Sequence, residues 1–156
     1  MGKPRPGSPN PRLARAGRGT PRGYVELLGL RASDTPHLLE RVEEGFPFGA
    51  LERFQQTIEL STTEVAELVQ MKPRTLSRRK AEGRLKPDES DRLVRAARVV
   101  GRALDLFEGD VHAAWQWLST SQLALGGVEP LSLARTEVGA REVEDLIGRL
   151  EEGVFS

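Results

Sequence analysis

The stretch STTEVAELVQMKPRTLSRRKAEGRLK, Ser61 to Lys86, decides the fold, because it spells a short helix, a break and a second helix crowded with arginine. That is the layout of a helix-turn-helix DNA reader. Thr62 or Thr63 is placed to cap the first helix, which carries Val65, Ala66, Leu68 and Val69 on its buried side. Gln70-Met71-Lys72 forms the break, and Pro73, whose ring fixes φ, suits a first helical position. In the second helix Leu76 points inward, while Lys72, Arg74, Thr75, Arg78, Arg79 and Lys80 make an outward face. Guanidinium forks and hydroxyls in such a place can bond guanine edges and phosphate oxygens. A charged helical face is equally the mark of a plain solvated surface, and local charge decides between the two. From Lys72 to Lys86 there are seven Lys or Arg and one acid, Glu82, a surplus of +6 in a chain whose net charge is zero. Two positions depart from the common pattern. Gln70 stands where such turns often place glycine, and Arg79 stands where a reader helix often has an inward apolar residue.

Length and composition bound the remainder. With 156 residues, 38% hydrophobic and 5% aromatic, the chain can bury the core of one domain or of two small ones. No apolar run approaches the roughly 18 residues of a membrane span. Cysteine is absent, which excludes disulfides and thiolate metal sites and fits a cytoplasmic protein. His37 and His112 are far apart and each lacks a second ligand at helical spacing, so neither a metal site nor a cofactor site is expected. The neutral total conceals an asymmetry: residues 1–23 hold Lys3, Arg5, Arg12, Arg15, Arg18 and Arg22 and no acid, leaving 17 basic against 23 acidic residues in the rest. Five prolines and several glycines share that segment. Such a composition predicts a disordered basic leader, either an arm for non-specific phosphate attraction or a dispensable tail.

Beyond the leader every element reads as helix, and no stretch alternates convincingly with a strand's period of two. Asp34 and Pro36 open a helix bearing Leu38, Leu39 and Val42 that runs to Gly45, and a second carries Leu51, Phe54 and Ile58. After Pro87, acids in the first turn suit the helix dipole, and Leu93, Ala97, Val100, Leu104 and Phe107 form one apolar seam about five turns long. Other apolar positions of this helix, such as Val94 or Val99, are expected to serve a twin subunit. Gly109 ends the long helix and Asp110 caps a short one with Trp115 and Trp117, of which one could serve a partner and both could pack locally. Gly126-Gly127 is read as a turn into a helix begun by Pro130, since no strand precedes it and no Lys-Ser or Lys-Thr follows. A last helix from about Thr136 packs Val143, Leu146, Ile147 and Leu150 and stops at Gly153, leaving Val154-Phe155-Ser156 beyond the cap. The expected organisation is all-α: a leader (1–23), a helical domain (24–86) with the helix-turn-helix at 61–82, and a second helical domain (87–156) with a tail at 153–156.

Several runs in fixed order carry a family resemblance. Arg74-Thr75-Leu76 with Arg78-Arg79, Gly83-Arg84-Leu85, Glu89-Ser90-Asp91-Arg92-Leu93, Trp117-Leu118, Ala124-Leu125-Gly126-Gly127 and Gly153-Val154 resemble the Xre-type antitoxins that pair with RES-domain toxins. The resemblance covers roughly residues 45–156 and leaves out the leader. It implies an all-helical homodimer with an Xre-like helix-turn-helix and a C-terminal domain for toxin binding and dimerisation. The implied partners are an NAD-consuming RES toxin in a type II toxin–antitoxin system and the promoter of the protein's own operon. It further implies that the C-terminal residues Gly153, Val154, Phe155 and Ser156 occlude the toxin's NAD pocket, and that Trp115, Trp117, Leu125, Gly126 and Gly127 belong to the toxin-binding surface. The rival reading is a stand-alone transcription regulator whose C-terminal half only dimerises or binds a small ligand. An enzyme is disfavoured, because cysteine is absent, the histidines are isolated and the acids sit among Lys and Arg on helix faces, with no small-molecule substrate implied.

Overall fold

Caps and turns set the helix boundaries in the computed structural model, which describes residues 23–30 and 35–153. The basic leader up to Arg22, the expected helix opener Asp34 and the tail residues Val154, Phe155 and Ser156 lie outside the described residues, while Gly23, the leader's last expected residue, opens a helix. The described residues are all-α, and in chain order the helices are α1 (Gly23–Leu27), α2 (Thr35–Glu44), α3 (Phe48–Thr57), α4 (Thr62–Leu68) and α5 (Pro73–Glu82). Then follow α6 (Pro87–Leu106), α7 (Val111–Leu118), a 3-10 turn at Leu123–Leu125, α8 (Pro130–Leu133) and α9 (Glu137–Glu151). Two compact units divide between Ala97 and Arg98, inside α6.

In the amino-terminal unit, Tyr24–Ala97, the cap of α4 is Ser61 rather than Thr62 or Thr63. Ser61 Oγ accepts from the Glu64 N–H at 3.1 Å and the Glu64 carboxylate accepts from the Ser61 N–H at 3.2 Å. This reciprocal capping box satisfies two donors that one threonine hydroxyl could not. Gln70 takes the left-handed conformation at φ 53, so the turn keeps the glycine geometry without the glycine, and Pro73 opens α5 behind the cap residue Lys72. α4 and α5 pack on each other. The core holds Phe46, Leu51, Phe54, Ile58, Val65, Val69, Leu76 and Leu93, all buried. Leu39, placed on the apolar stripe of α2 by its spacing, is instead 57% exposed, while Leu38 is buried. Helix α1, unforeseen in the glycine-rich approach to residue 30, contributes Val25 and Leu27 to the buried set.

In the carboxy-terminal unit, which begins at Arg98, Asp110 caps α7 by accepting from the Ala113 N–H at 3.0 Å, and Thr136 caps α9 by accepting from the Gly139 N–H at 3.0 Å. Val100, Leu104, Leu118, Val143, Leu146 and Ile147 are buried, α8 packs on α9 and α7 on α8. Val99, expected to face a twin subunit, is 1% exposed and cannot do so in this state, whereas Val94 is half-buried. Polar bonds tie α6 to α9. Arg98 donates to Glu137 at 2.6 Å and to Glu144 at 2.7 Å, and Arg102 to Glu151 at 3.3 Å. Burial disfavours the Arg98 charge, but the hydrogen bonds to Glu137 and Glu144 outweigh it and hold the guanidinium above its ordinary pKa.

Near the same helix pair, burial first and the Glu151 charge second raise the Asp105 carboxyl from 3.8 to about 6, with Arg102 pulling the other way. A carboxyl whose folded pKa is raised binds its proton more tightly when folded, so its stabilising contribution is present below about pH 4 and is lost as pH climbs through 6. Asp105→Asn should therefore remove a decline in stability of about 1 kcal/mol between pH 4 and pH 7, after allowance for solvent screening of a partly exposed group. Urea unfolding of the two proteins across that range measures it: the curves should converge at low pH and the variant should be the more stable at neutral pH.

Candidate functional site

Helix α5, the second of the helix-turn-helix pair, presents Arg74, Arg78 and Lys80 to solvent, with Thr75 half-buried and the cap residue Lys72 also exposed. Residues 74, 75 and 78 recur at the three- and four-residue steps that stack side chains on one helical face. Arg74, Thr75 and Arg78 therefore share one face of a helix whose other side is fixed by Leu76, 5% exposed, while Lys80 lies exposed one turn past Leu76.

Arg79 does not join them. It was expected on the outward face, yet it is 5% exposed, three residues from Leu76 and on the same inward side. Its Nε donates to Glu89 Oε1 at 2.7 Å and its Nη1 to Glu82 at 3.2 Å. Hydrogen bonding to Glu89 is the largest influence on the guanidinium and raises its pKa against the cost of burial. A buried guanidinium is tolerable where carboxylates meet it, and α6 supplies one in its first turn. The missed residues are thus Glu89 and Ser90, both buried. The signal was present in the three-residue step from Leu76 to Arg79, but nothing in the sequence told which of the nearby acids would answer it.

The second candidate surface lies in the carboxy-terminal unit. Trp117 is half-buried against Phe107, ring centroids 6.4 Å apart and planes inclined by 52°, so this indole also serves local packing; Trp115 is half-buried on the same helix. Gln122 joins the following loop to α7, its side-chain amide donating to the carbonyl oxygens of Trp117 at 3.2 Å and Thr120 at 3.1 Å. The loop closes through an isolated bridge between Gln122 and Val128, with Gly126 and Gly127 both left-handed at φ 72 and 79. A Cβ on either glycine would meet nothing within 4 Å, so the requirement is backbone conformation rather than space. The loop packs on α9 and exposes Leu123, at 95%, directly after the bridge residue Gln122, with Leu125 half-buried and Val128 exposed in the same loop. Leu123, which spacing did not single out, is the most solvent-exposed large apolar side chain among the described residues. At the far end α9 finishes at Glu151 and Gly153 turns out of the helix at φ 70, exposed.

Among the described residues no three His, Cys, Asp or Glu side chains converge on a metal-ion site, and no helix is long and apolar enough to cross a membrane.

Residues 37–98 match the antitoxin Xre-like helix-turn-helix domain, and residues 102–153 the antitoxin Xre/MbcA/ParS C-terminal toxin-binding domain. An antitoxin Xre of Yersinia enterocolitica is 41% identical over 130 residues, 83% of this chain and 88% of that one. The chain belongs to the Xre antitoxin family. An antitoxin Xre of Photorhabdus laumondii is 36% identical over the same shares, and a protein of Sphingobium named Prs ADP-ribosylating antitoxin is 27% identical over 149 residues, 90% of this chain and 92% of its own. The fold follows the family's order, a helix-turn-helix domain and then a toxin-binding domain, and neither module is catalytic.

Replacing Arg74 and Arg78 together with alanine should weaken binding to the upstream promoter at least tenfold and reduce the slope of log K against log salt by about 2, leaving helicity and toxin capture unchanged. Fluorescence anisotropy at three salt concentrations checks it; an unaltered slope would take this face off the DNA.

Proposed function

We propose that this antitoxin neutralises a RES-domain toxin that consumes NAD, within a type II system, and that it represses its own operon through the basic face of α5. The observation that carries the reading is the match of residues 102–153 to a toxin-binding domain that ends where α9 stops and Gly153 turns the chain out, immediately before Val154 and Phe155. The helix that precedes this apolar pair is already formed, so docking does not have to order α9 itself. Burying the two side chains contributes roughly 3–5 kcal/mol at about 25 cal/mol per Å², before ordering costs. In this reading Gly153, Val154, Phe155 and Ser156 occlude the toxin's NAD pocket. Trp115, Trp117, Leu125, Gly126 and Gly127 belong to the surrounding contact, and the exposed Leu123 extends it. The name of the Sphingobium relative points the same way, since ADP-ribosyl transfer draws on NAD. The protein would act in the cytoplasm as a homodimer, in keeping with the two half-sites such readers commonly occupy.

Deleting Val154 to Ser156 should abolish neutralisation while leaving a folded protein, because α9 is already ended at Glu151 and Gly153, before the deleted residues. Phe155→Ala alone should cost about 2–4 kcal/mol of toxin affinity if the ring fills a pocket. NAD levels in cells expressing the adjacent toxin gene with each variant decide it; a truncated protein that still preserves NAD would overturn the plug. Failure of the full-length chain to co-purify with any neighbouring gene product would favour a stand-alone regulator instead.

A further inference from the structure

The geometry points to the buried Arg79–Glu89 pair as the positioning element of the DNA-reading helix, with Arg79 aiming Arg74 and Arg78 rather than touching DNA itself. This rests on the proposal above that α5 reads the operator. Glu89 Oε1 accepts two bonds at 2.7 Å, one from Arg79 Nε and one from the Lys86 N–H. The same oxygen therefore caps α6 and grips α5, while Arg79 Nη1 reaches Glu82 in the last turn of α5 at 3.2 Å. Both side chains of the α5–α6 bridge are inaccessible, at 6% and 4%, so water cannot substitute for either partner. Neighbouring bonds fix the platform behind the pair. Ser90 Oγ accepts from the Phe46 N–H at 2.8 Å and donates to the Lys86 carbonyl at 2.9 Å, and the Leu85 N–H donates to the Phe46 carbonyl at 2.8 Å.

The consequence for reading is geometric. Arg74 lies five residues from Arg79, about 7.5 Å along the axis at ~1.5 Å per residue, so a tilt of about 10° about Arg79 would move the Arg74 backbone by roughly 1.3 Å. Hydrogen bonds to base edges and phosphates tolerate a few tenths of an ångström. A guanidinium seated between two carboxylates has one orientation, whereas an apolar side chain at residue 79 would leave the helix freer to settle in several. Whether buried charges add specificity is particular to each protein, and here the pair joins the helix that reads to the helix that supports it.

The test exploits a sign. Removing an acid beside a basic face ordinarily strengthens DNA binding, whereas loss of a positioning acid weakens it. In the full-length protein, Glu89→Gln keeps an acceptor for the Lys86 N–H but removes the charge, and should lower promoter affinity at least tenfold with toxin capture unchanged. Arg79→Met should lower affinity similarly yet leave the slope of log K against log salt as in the natural protein, because no phosphate contact is lost. The double variant Arg79→Met/Glu89→Gln, with no unpaired buried charge, should bind better than either single one at the same slope; it also reads the slope should a single variant fail to fold. Glu89→Gln binding as tightly as or more tightly than the natural protein, or a slope reduced by about one in Arg79→Met or the double variant, would overturn the positioning role. If the natural protein itself shows no binding to its promoter, the DNA-reading proposal falls, and this inference with it.

Discussion

One carboxylate organises the amino-terminal unit. Glu89, 3% exposed, gathers the Arg79 guanidinium and the Lys86 N–H on one oxygen. An ion taken out of water is tolerable only if paired and hydrogen-bonded, and breaking such a pair costs far more than the pair contributes relative to apolar packing. The first turn of α6 must therefore lie where the last turn of α5 can meet it. Ser90 extends the constraint to the turn before α3, through the bond it accepts from Phe46, and an isolated bridge between Pro47 and Arg84 runs alongside. Leucine and valine contacts exclude water but tolerate repacking, whereas these directional bonds fix the relation of three helices.

The carboxy-terminal unit uses a related device at lower burial. Arg98 stands between two carboxylates a helical stretch apart on α9, Glu137 and Glu144, so its planar fork sets both where α9 begins and how it is rotated against α6. Apolar residues then fill the seam that this clamp aligns. The Thr136 cap and the close approach of Gly139 to the Leu133 carbonyl hold α8 against the start of α9; a Cβ at Gly139 would stand 1.9 Å from that oxygen. The start of α9 is thereby fixed twice, by the ion pairs from α6 and by its packing on α8.

The parts legible in the sequence were those governed by local chemistry. Pro73 and Gly83 bracket α5, with Gly83 left-handed at φ 79, and the seam of Leu93, Ala97, Val100 and Leu104 is buried along α6. Asp110, Thr136 and the glycine stops likewise mark helix ends through rules that act within four residues. What failed needed tertiary knowledge. Arg79 reads as solvent-facing by residue type, because its burial depends on a carboxylate ten residues away. Leu39 reads as core by spacing, and its exposure depends on what packs against α2. Ser61 is the one local exception: it stands beside two threonines of the same capping chemistry, and its reciprocal bonds to Glu64 single it out. The hairpin-like closure of Gln122 on Val128 left no periodic trace, and with it went the prominence of Leu123.

The two proposed surfaces are built on opposing physics, and this bears on how one small chain can serve two partners. The α5 face works through charge: its arginines and lysines stay hydrated until phosphates replace water and counterions, so its affinity falls steeply as salt rises. The exposed Leu123, with the residues after Gly153 in the proposed plug, would work through apolar area, which added salt leaves nearly unchanged or slightly strengthens. A surface of the second kind has a cost when unoccupied, since exposed apolar groups invite unwanted association. Among the described residues of the carboxy-terminal unit it is kept to three large side chains: Leu123 at 95%, Val138 at 76% and Val128 at 38%. Raising ionic strength should therefore release the proposed operator complex while the proposed toxin complex persists, so that occupancy of the DNA follows conditions that neutralisation ignores.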